Sequence, residues 1–521
     1  MDNDESIASM WKREADAASP DAVSNVPEKS EEARAERVRI WRSLALPALV
    51  LGLLATILVY GNPASVTMPL FVIAVIAFFR HVMRLSGIQK PKRGSLFCFA
   101  VMLLLALSDC LTDNAFIITC NNIGICLVLA VALLHNFCDD RLWRLGTYFA
   151  RMIRCAGGTV ESLGDAVSDL LVWRREAGKG SRTVIYALAG AAISAPLLAV
   201  VISLLCSADE RYAAQLGWLF GHVQPGPAMR VCLFSAASVL VAYCTSRFLL
   251  KGNLPSDVKE RRQFPAAVAL TALTLFCLVY ISFVLSQFAP PPEGTSYAGT
   301  AREGFFQLLA VSVINVIIVQ AVLARFGDCA PLKVLLSVFC ACTYAMIASA
   351  ALRMFRYIGH YGQLTFLRVL VLWTLAVLSL LLAGQAAQVF SRRFPLFRYG
   401  FAVTCACYVA LSLARPDYWI ADYNLAHIGQ DRTELTYRGI SDLRNLANDT
   451  SCDAASAFEH AGMLRVDFAC DALGRHVAES FDYRDVLREK LGDKPLTPRS
   501  WNFSRARARR IVGKEESSGK N

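Results

Sequence analysis

Apolar runs of roughly 20 residues recur along this chain, and each is long enough to cross a hydrocarbon layer of about 30 Å as a helix. They fall at about 43–60, 65–82, 95–111, 115–135, 184–206, 228–248, 265–287, 304–325, 331–352, 364–386 and 396–413. In lipid every backbone N–H and C=O must be satisfied within the segment, so runs of this kind fold as helices. The pattern predicts an all-α polytopic transmembrane helix bundle of about eleven spans, with ten to twelve defensible. Composition agrees: 55% of the 521 residues are hydrophobic and 18% are charged, against about 25% charged in soluble domains. Mean hydropathy is +0.42.

The organisation that follows has six parts. Residues 1–42 read as a disordered, charged tail, with a helix from Glu28 to Arg42 as an alternative for its second part, and not as a signal peptide. Residues 43–135 carry four spans, the third and fourth joined only by Thr112-Asp113-Asn114 as a tight hairpin or a re-entrant pair. In the long loop 136–182, Leu142, Leu145, Phe149, Met152 and Ile153 recur at helical spacing between arginines. This predicts an amphipathic helix on the membrane surface. Residues 183–414 hold the remaining spans. Residues 415–495 read as a small helical module, too short for a large core and expected to pack on the spans. There Leu435, Ile440, Leu443 and Leu446 suggest one amphipathic stretch, and Phe468, Leu473, Val477 and Phe481 another. Residues 496–521 end in the basic run Arg505–Arg510.

The net charge of +11 invites a nucleic-acid reading, but the basic residues sit in loops beside apolar spans, where they report topology. Lys and Arg number seven in the N-terminal tail, none in 61–64, four in 83–94, none in 112–114 and eight in 136–182. Loop 207–227 has one, loop 249–264 has four and loop 288–303 has one. The alternation predicts a cytoplasmic N-terminus. With eleven spans the C-terminal module is then extracytoplasmic. There Cys452 and Cys470 could form a disulfide; on the other side they would be buried thiols.

The segment from Tyr297 to Arg325 carries the most distinctive polar residues. Thr300 and Glu303 have the spacing of a capping box, and a helix starting there would bring Glu303, Gln307 and Asn315 within about 120° of arc. Gln307 and Asn315 are then either interhelical hydrogen-bond partners or part of a polar pocket with Arg302 and Glu303. Tyr297 and Ala301 through Leu308, reading YAGTAREGFFQL, resemble the signature YAxYAREGFFxL of bacterial polytopic membrane proteins classed as domain of unknown function 4173, related to 4153. Four further pieces occur in that family's order: LCSADERYAAQL from Leu205, YGQLTFLR from Tyr361, PDYWIADYN from Pro416 and WNFSRARA from Trp501. Gly299 and Thr300 depart from the signature. The resemblance implies an architecture and no reaction.

Chemical motifs are missing from the sequence. It has no GxxxxGK[ST], no HExxH and no GxSxG. Most of its 17 cysteines lie inside apolar runs, where cysteine acts as a small hydrophobe. Cys340 and Cys342, like Cys405 and Cys407, are too closely spaced for a zinc knuckle. No metal or cofactor is expected. No Asp, Glu or Lys falls mid-span; Asp109, in Ser108-Asp109-Cys110, lies toward a span end. The sequence therefore favours a non-enzymatic sensing, scaffolding or regulatory module of the cell envelope. The alternatives are a transporter or flippase, and a membrane-embedded enzyme at the outer face. Expected partners are the lipid bilayer and anionic lipids at the basic tail and the amphipathic loop, with no nucleic acid.

Overall fold

The computed structural model describes residues 20–62, 65–138, 143, 145–176, 201, 205–212, 214–215, 227–252, 264–286, 297–327, 329–391, 393–428, 437–470, 476–492 and 496–518. Side chains of residues 20–30, 297–305, 437–440, 467–470, 476–479 and 514–518 are outside the description, as are a few single ones. Ten helices among the described residues are long and apolar enough to cross a membrane. They are α1 (Pro20–Leu58), α2 (Thr67–Leu85), α3 (Arg93–Leu111), α4 (Ala115–Phe137), α6 (Pro227–Leu250), α7 (Ala266–Ser286), α8 (Tyr297–Arg325), α9 (Ala330–Tyr361), α10 (Phe366–Phe390) and α11 (Leu396–Leu413); a further long helix, α5 (Leu145–Glu176), lies between α4 and α6 in the chain. The span expected at 184–206 lies almost wholly outside the described residues. The chain is a multi-pass, all-α membrane protein, and it divides into two compact units.

The first unit comprises residues 1–60, 74–90 and 150–255. Its α1 is longer than the first apolar run, because the polar stretch from Pro20 continues the same helix. Leu44, Ala48, Leu51 and Ala55 are buried on one face of α1, and α1 packs along α6. A Cβ at Gly52 would lie 2.3 Å from Val239 Cγ2 and 2.8 Å from its backbone nitrogen, so only glycine permits this close approach. Helix α5 is anchored to α6 by polar contacts. Arg247 Nε lies 2.8 Å from Asp169 Oδ2, and the Tyr243 hydroxyl donates to the same oxygen at 3.0 Å. Lys251 pairs with Asp165. In the predicted amphipathic row, Ile153 of this unit is exposed.

The second unit comprises residues 61–73, 91–149 and 256–521. Helices α3 and α4 pack along each other and are joined at residues 112–114, each long and apolar enough to cross a membrane. Asn114 caps α4, accepting from the backbone nitrogens of Phe116 and Ile117 at 3.0 and 3.1 Å. Helices α7 to α10 share a second apolar core around Leu273, Phe339, Leu336 and Leu382. Gly362 ends α9 with φ 61°, a left-handed turn that suits glycine.

The C-terminal module is helical with one hairpin. It contains α12 (Pro416–Ile428), α13 (Tyr437–Asp449), a 3-10 turn at Cys452–Ala454, α14 (Ala455–His460), β1 (Arg465–Cys470), β2 (His476–Asp482), α15 (Tyr483–Leu491) and α16 (Phe503–Ser518). The second amphipathic helix expected near Phe468–Phe481 is instead this antiparallel pair, with Val466 opposite Phe481. Within the module Phe458 stacks on Tyr483 at 3.8 Å, both fully buried. Ala508 and Ile511 belong to the same core, so the basic run 505–510 rides on a packed helix rather than a free tail. Leu364, Phe366 and Val369 at the start of α10 pack against this core, which seats the module on the spans.

Candidate functional site

Within the second unit, the described polar side chains gather where the module meets the α3–α4 turn. The last turn of α3 leaves carbonyls without helical partners. Asn502, fully buried, meets this need from the module. Its Nδ2 donates to Asp109 O at 3.0 Å and Thr112 O at 2.8 Å. Its Oδ1 accepts from the backbone nitrogens of Ser504 at 2.9 Å and Arg505 at 3.3 Å, which caps α16. One amide thus closes the end of a span and starts a module helix. Beside it Arg505 Nε lies 2.5 Å from Asp113 Oδ1, and Val66 N donates to Trp501 O at 3.0 Å.

Three other carboxylates and amides complete the seam. Asp453, buried, accepts from the Thr112 hydroxyl and pairs with Arg415 Nη2 at 3.3 Å. Arg415, between α11 and Pro416, has φ 52°, a left-handed backbone that costs a non-glycine residue about 1 kcal/mol. The turn from the last span into the module is therefore held by its ion pair. Asp417 Oδ2 accepts from Asn114 Nδ2 and from Ser451 N, both at 2.9 Å. Asn424 makes a two-sided bond with the Leu364 backbone, accepting from its nitrogen at 2.6 Å and donating to its oxygen at 2.8 Å.

Asp109, inside the end of α3, is fully buried. Asn121 Nδ2 on α4 donates to its Oδ1 at 2.7 Å, while its Oδ2 has no hydrogen-bond partner among the described residues. Asn121 Oδ1 accepts from the hydroxyls of Tyr408 and Ser412 on α11, each at 2.9 Å. The α3–α4 hairpin is thereby tied both to α11 and to the module.

Burial sets the electrostatics outside the spans. It raises the Asp113 carboxyl above its ordinary value, with the Arg505 guanidinium opposing the shift. Burial raises the Cys452 thiol, and neighbouring Asp113 adds to it. Burial lowers the Lys490 ammonium, whose three N–H groups meet the carbonyls of Ala447, Asn448 and Thr450 at the end of α13. The Tyr483 phenol is also raised by burial. Such an arrangement positions and locks: nearly every charge is answered by a fixed donor or acceptor.

The residues singled out from sequence lie elsewhere. Tyr297, Arg302 and Glu303 are in the first turns of α8, with side chains outside the description. That helix begins at Tyr297, so Thr300 lies inside it rather than at its cap. Gln307 is exposed, while Asn315 is fully buried. Asn315 Oδ1 accepts from the Tyr280 hydroxyl at 2.7 Å, and its Nδ2 donates to Thr343 Oγ1 at 3.2 Å. This is interhelical hydrogen bonding among α7, α8 and α9. Cys452 is a buried free thiol; the Cys470 side chain is outside the description. The seam residues themselves are not distinguished by sequence reasoning. The available signal is the polar triplet 112–114 between two apolar runs, together with Asn424 and Asn502 inside motif-like pieces.

The fold and this seam define a polytopic helical membrane protein whose C-terminal module is clamped onto the turns of its spans. The chain belongs to the family described as "Domain of unknown function (DUF4153)", whose model matches residues 96–459, from α3 into α14. The family matched is thus the one related to 4173. No curated protein and no solved structure matches the chain.

Proposed function

We propose that this protein is a non-enzymatic sensing or regulatory module of the cell envelope, in which the C-terminal module reports to the spans through the α3–α4 hairpin. The observation that carries this reading is Asn502, which joins the end of α3 to the start of α16. Any movement of α16 must break or carry with it the polar end of α3. A transporter would need open polar surface mid-membrane, whereas Asn315 is already bonded by Tyr280 and Thr343. The likeness of Tyr297–Leu308 to the 4173 signature supports kinship with that family.

The topology supports an extracytoplasmic module. Its contacts include Val66, Thr112 and Leu364, and loops 61–64 and 112–114 contain no Lys or Arg. Basic-poor loops favour the outer side. Between Asn114 and Arg415 the described candidate spans are α4 and α6–α11, an odd number. A return to the same face needs one further crossing, which the apolar run at 184–206 would supply.

Coupling is tested with a spin label at Thr119 on α4 in the reconstituted protein. Asn502→Ala should change the label's mobility while the spans stay folded. A label indifferent to Asn502→Ala, with the module demonstrably loosened by hydrogen exchange, would refute the regulatory reading. Impermeant labelling of Gly513→Cys in intact cells should succeed if the module is outside, and fail until lysis if it is not.

A further inference from the structure

Helix α1 exposes a narrow face that its packing on α6 leaves uncovered. Arg39, Arg42, Leu46, Val50, Leu53 and Ile57 are all exposed, and at about 100° per residue they fall within an arc of roughly 80°. The buried row Leu44, Ala48, Leu51 and Ala55 lies on the opposite side. At about 1.5 Å per residue, Leu46 to Ile57 spans roughly 16 Å, close to half of a hydrocarbon layer of about 30 Å. Above that apolar row, Ala35, Val38, Arg39, Arg42 and Ser43 line a cleft of about 530 Å³.

The two arginines differ from their basic neighbours. Arg37 donates to Ser168 at 3.0 Å, Arg247 is paired with Asp169 and Lys251 with Asp165. The guanidinium groups of Arg39 and Arg42 meet no acceptor among the described residues. On α2, Arg80 Nη1 is buried with no hydrogen-bond partner among the described residues, one residue from His81, whose Nε2 lies 3.1 Å from Ser43 O. Paired guanidinium forks matched to an open cleft suit a phosphate. The apolar row leading from that cleft suits an acyl chain.

We propose that this face binds one anionic glycerophospholipid from the leaflet next to the N-terminus. Arg39 and Arg42 hold its phosphate, and one acyl chain lies along Leu46, Val50, Leu53 and Ile57. A neutral zwitterionic lipid fills the same apolar row but answers the two guanidinium charges less well. The site is separate from the module seam and does not depend on the sensing reading.

The test uses the full chain in detergent, with lipid retention read by native mass spectrometry and protection by thermal unfolding. Phosphatidylglycerol is the probe, phosphatidylcholine the neutral control and inorganic phosphate the free-anion control. Each basic group near such a headgroup contributes about 1 kcal/mol, so retention of phosphatidylglycerol should exceed that of phosphatidylcholine by about ten-fold or more. Arg39→Gln with Arg42→Gln should abolish the preference, and Arg39→Lys with Arg42→Lys should keep part of it. Inorganic phosphate should give no protection. Equal retention of the two lipids by the unaltered protein, a preference that survives the double glutamine variant, or equal protection by phosphate would overturn the proposal. If the glutamine variant does not fold, Val50→Trp reads the acyl chain directly. Its fluorescence should be quenched more by phosphatidylglycerol brominated on the acyl chain than by the matching phosphatidylcholine, and equal quenching overturns the site.

Discussion

Each unit uses an arginine–aspartate pair to hold a helix that is not among the candidate spans, and the two pairs are built differently. In the first unit Arg247–Asp169 anchors α5, with side-chain exposures of 9% and 0%. In the second unit Arg505–Asp113 anchors α16, with 41% and 12%. The dry pair is expensive to form and more expensive to break, because removing one partner strands a buried charge. The wet pair adds little on its own. The first therefore makes release of α5 from α6 costly. The second leaves α16 to be held by the neutral amide of Asn502 and the module core, the more releasable anchor that the proposed sensing role requires.

The largest expected effect is on the dry pair. Arg247→Ala should destabilise the α5–α6 contact by about 3–5 kcal/mol, read as faster hydrogen exchange along α5 and a lower unfolding midpoint in detergent. Next comes the amide. Asn502→Ala removes donors to two α3 carbonyls and the cap of α16, and should loosen α16 by about 2 kcal/mol. Exchange at Arg505–Ile511 measures it. If Asn502→Ala costs more than Arg247→Ala, the contrast between a fixed and a releasable anchor is broken.

How much of this is legible in the sequence depends on the range of the signal. The spans are, since a run of apolar residues specifies a membrane helix without reference to anything distant. The seam is not, because its partners are hundreds of positions apart: Asn502 meets Asp109 and Thr112, and Asn114 meets Asp417. Without knowing which loops share a face, polar residues such as these read as ordinary loop residues. Gln307 and Asn315 illustrate a second limit. Helical arithmetic places Gln307 near Asn315 on one face, but packing decides exposure. Neighbouring helices α7 and α9 cover Asn315 and leave Gln307 open. The pair β1–β2 reads as a helix because Phe468, Leu473, Val477 and Phe481 carry spacings of four and five, close to the helical period.

Arg415 sharpens the comparison at a smaller scale. Arg415→Ala keeps the left-handed backbone strain and loses the pair with Asp453. Arg415→Gly loses the pair but relieves the strain. The glycine variant should therefore be about 1 kcal/mol more stable than the alanine variant, seen as a higher unfolding midpoint of the module. Equal midpoints would mean that the turn into the module carries no strain worth relieving.

The smallest effect belongs to the wet pair itself. Arg505→Ala should cost at most about 1 kcal/mol, and less at high salt. Its partner nevertheless makes docking sensitive to pH. Burial raises the Asp113 carboxyl above its ordinary value of 3.8, so the docked state holds that proton more tightly than the undocked state. The undocked state binds fewer protons as pH climbs above the ordinary carboxylate range, and linkage then makes docking weaken with rising pH. Arg505 opposes the shift, so removing it should steepen the decline. Asp113→Asn removes the titrating group and should flatten it. Hydrogen exchange of α16, corrected for intrinsic rates and measured from about pH 4 to pH 7, separates the cases. A slope unchanged in Asp113→Asn would place the titration on another group and leave the wet pair as an ordinary surface contact.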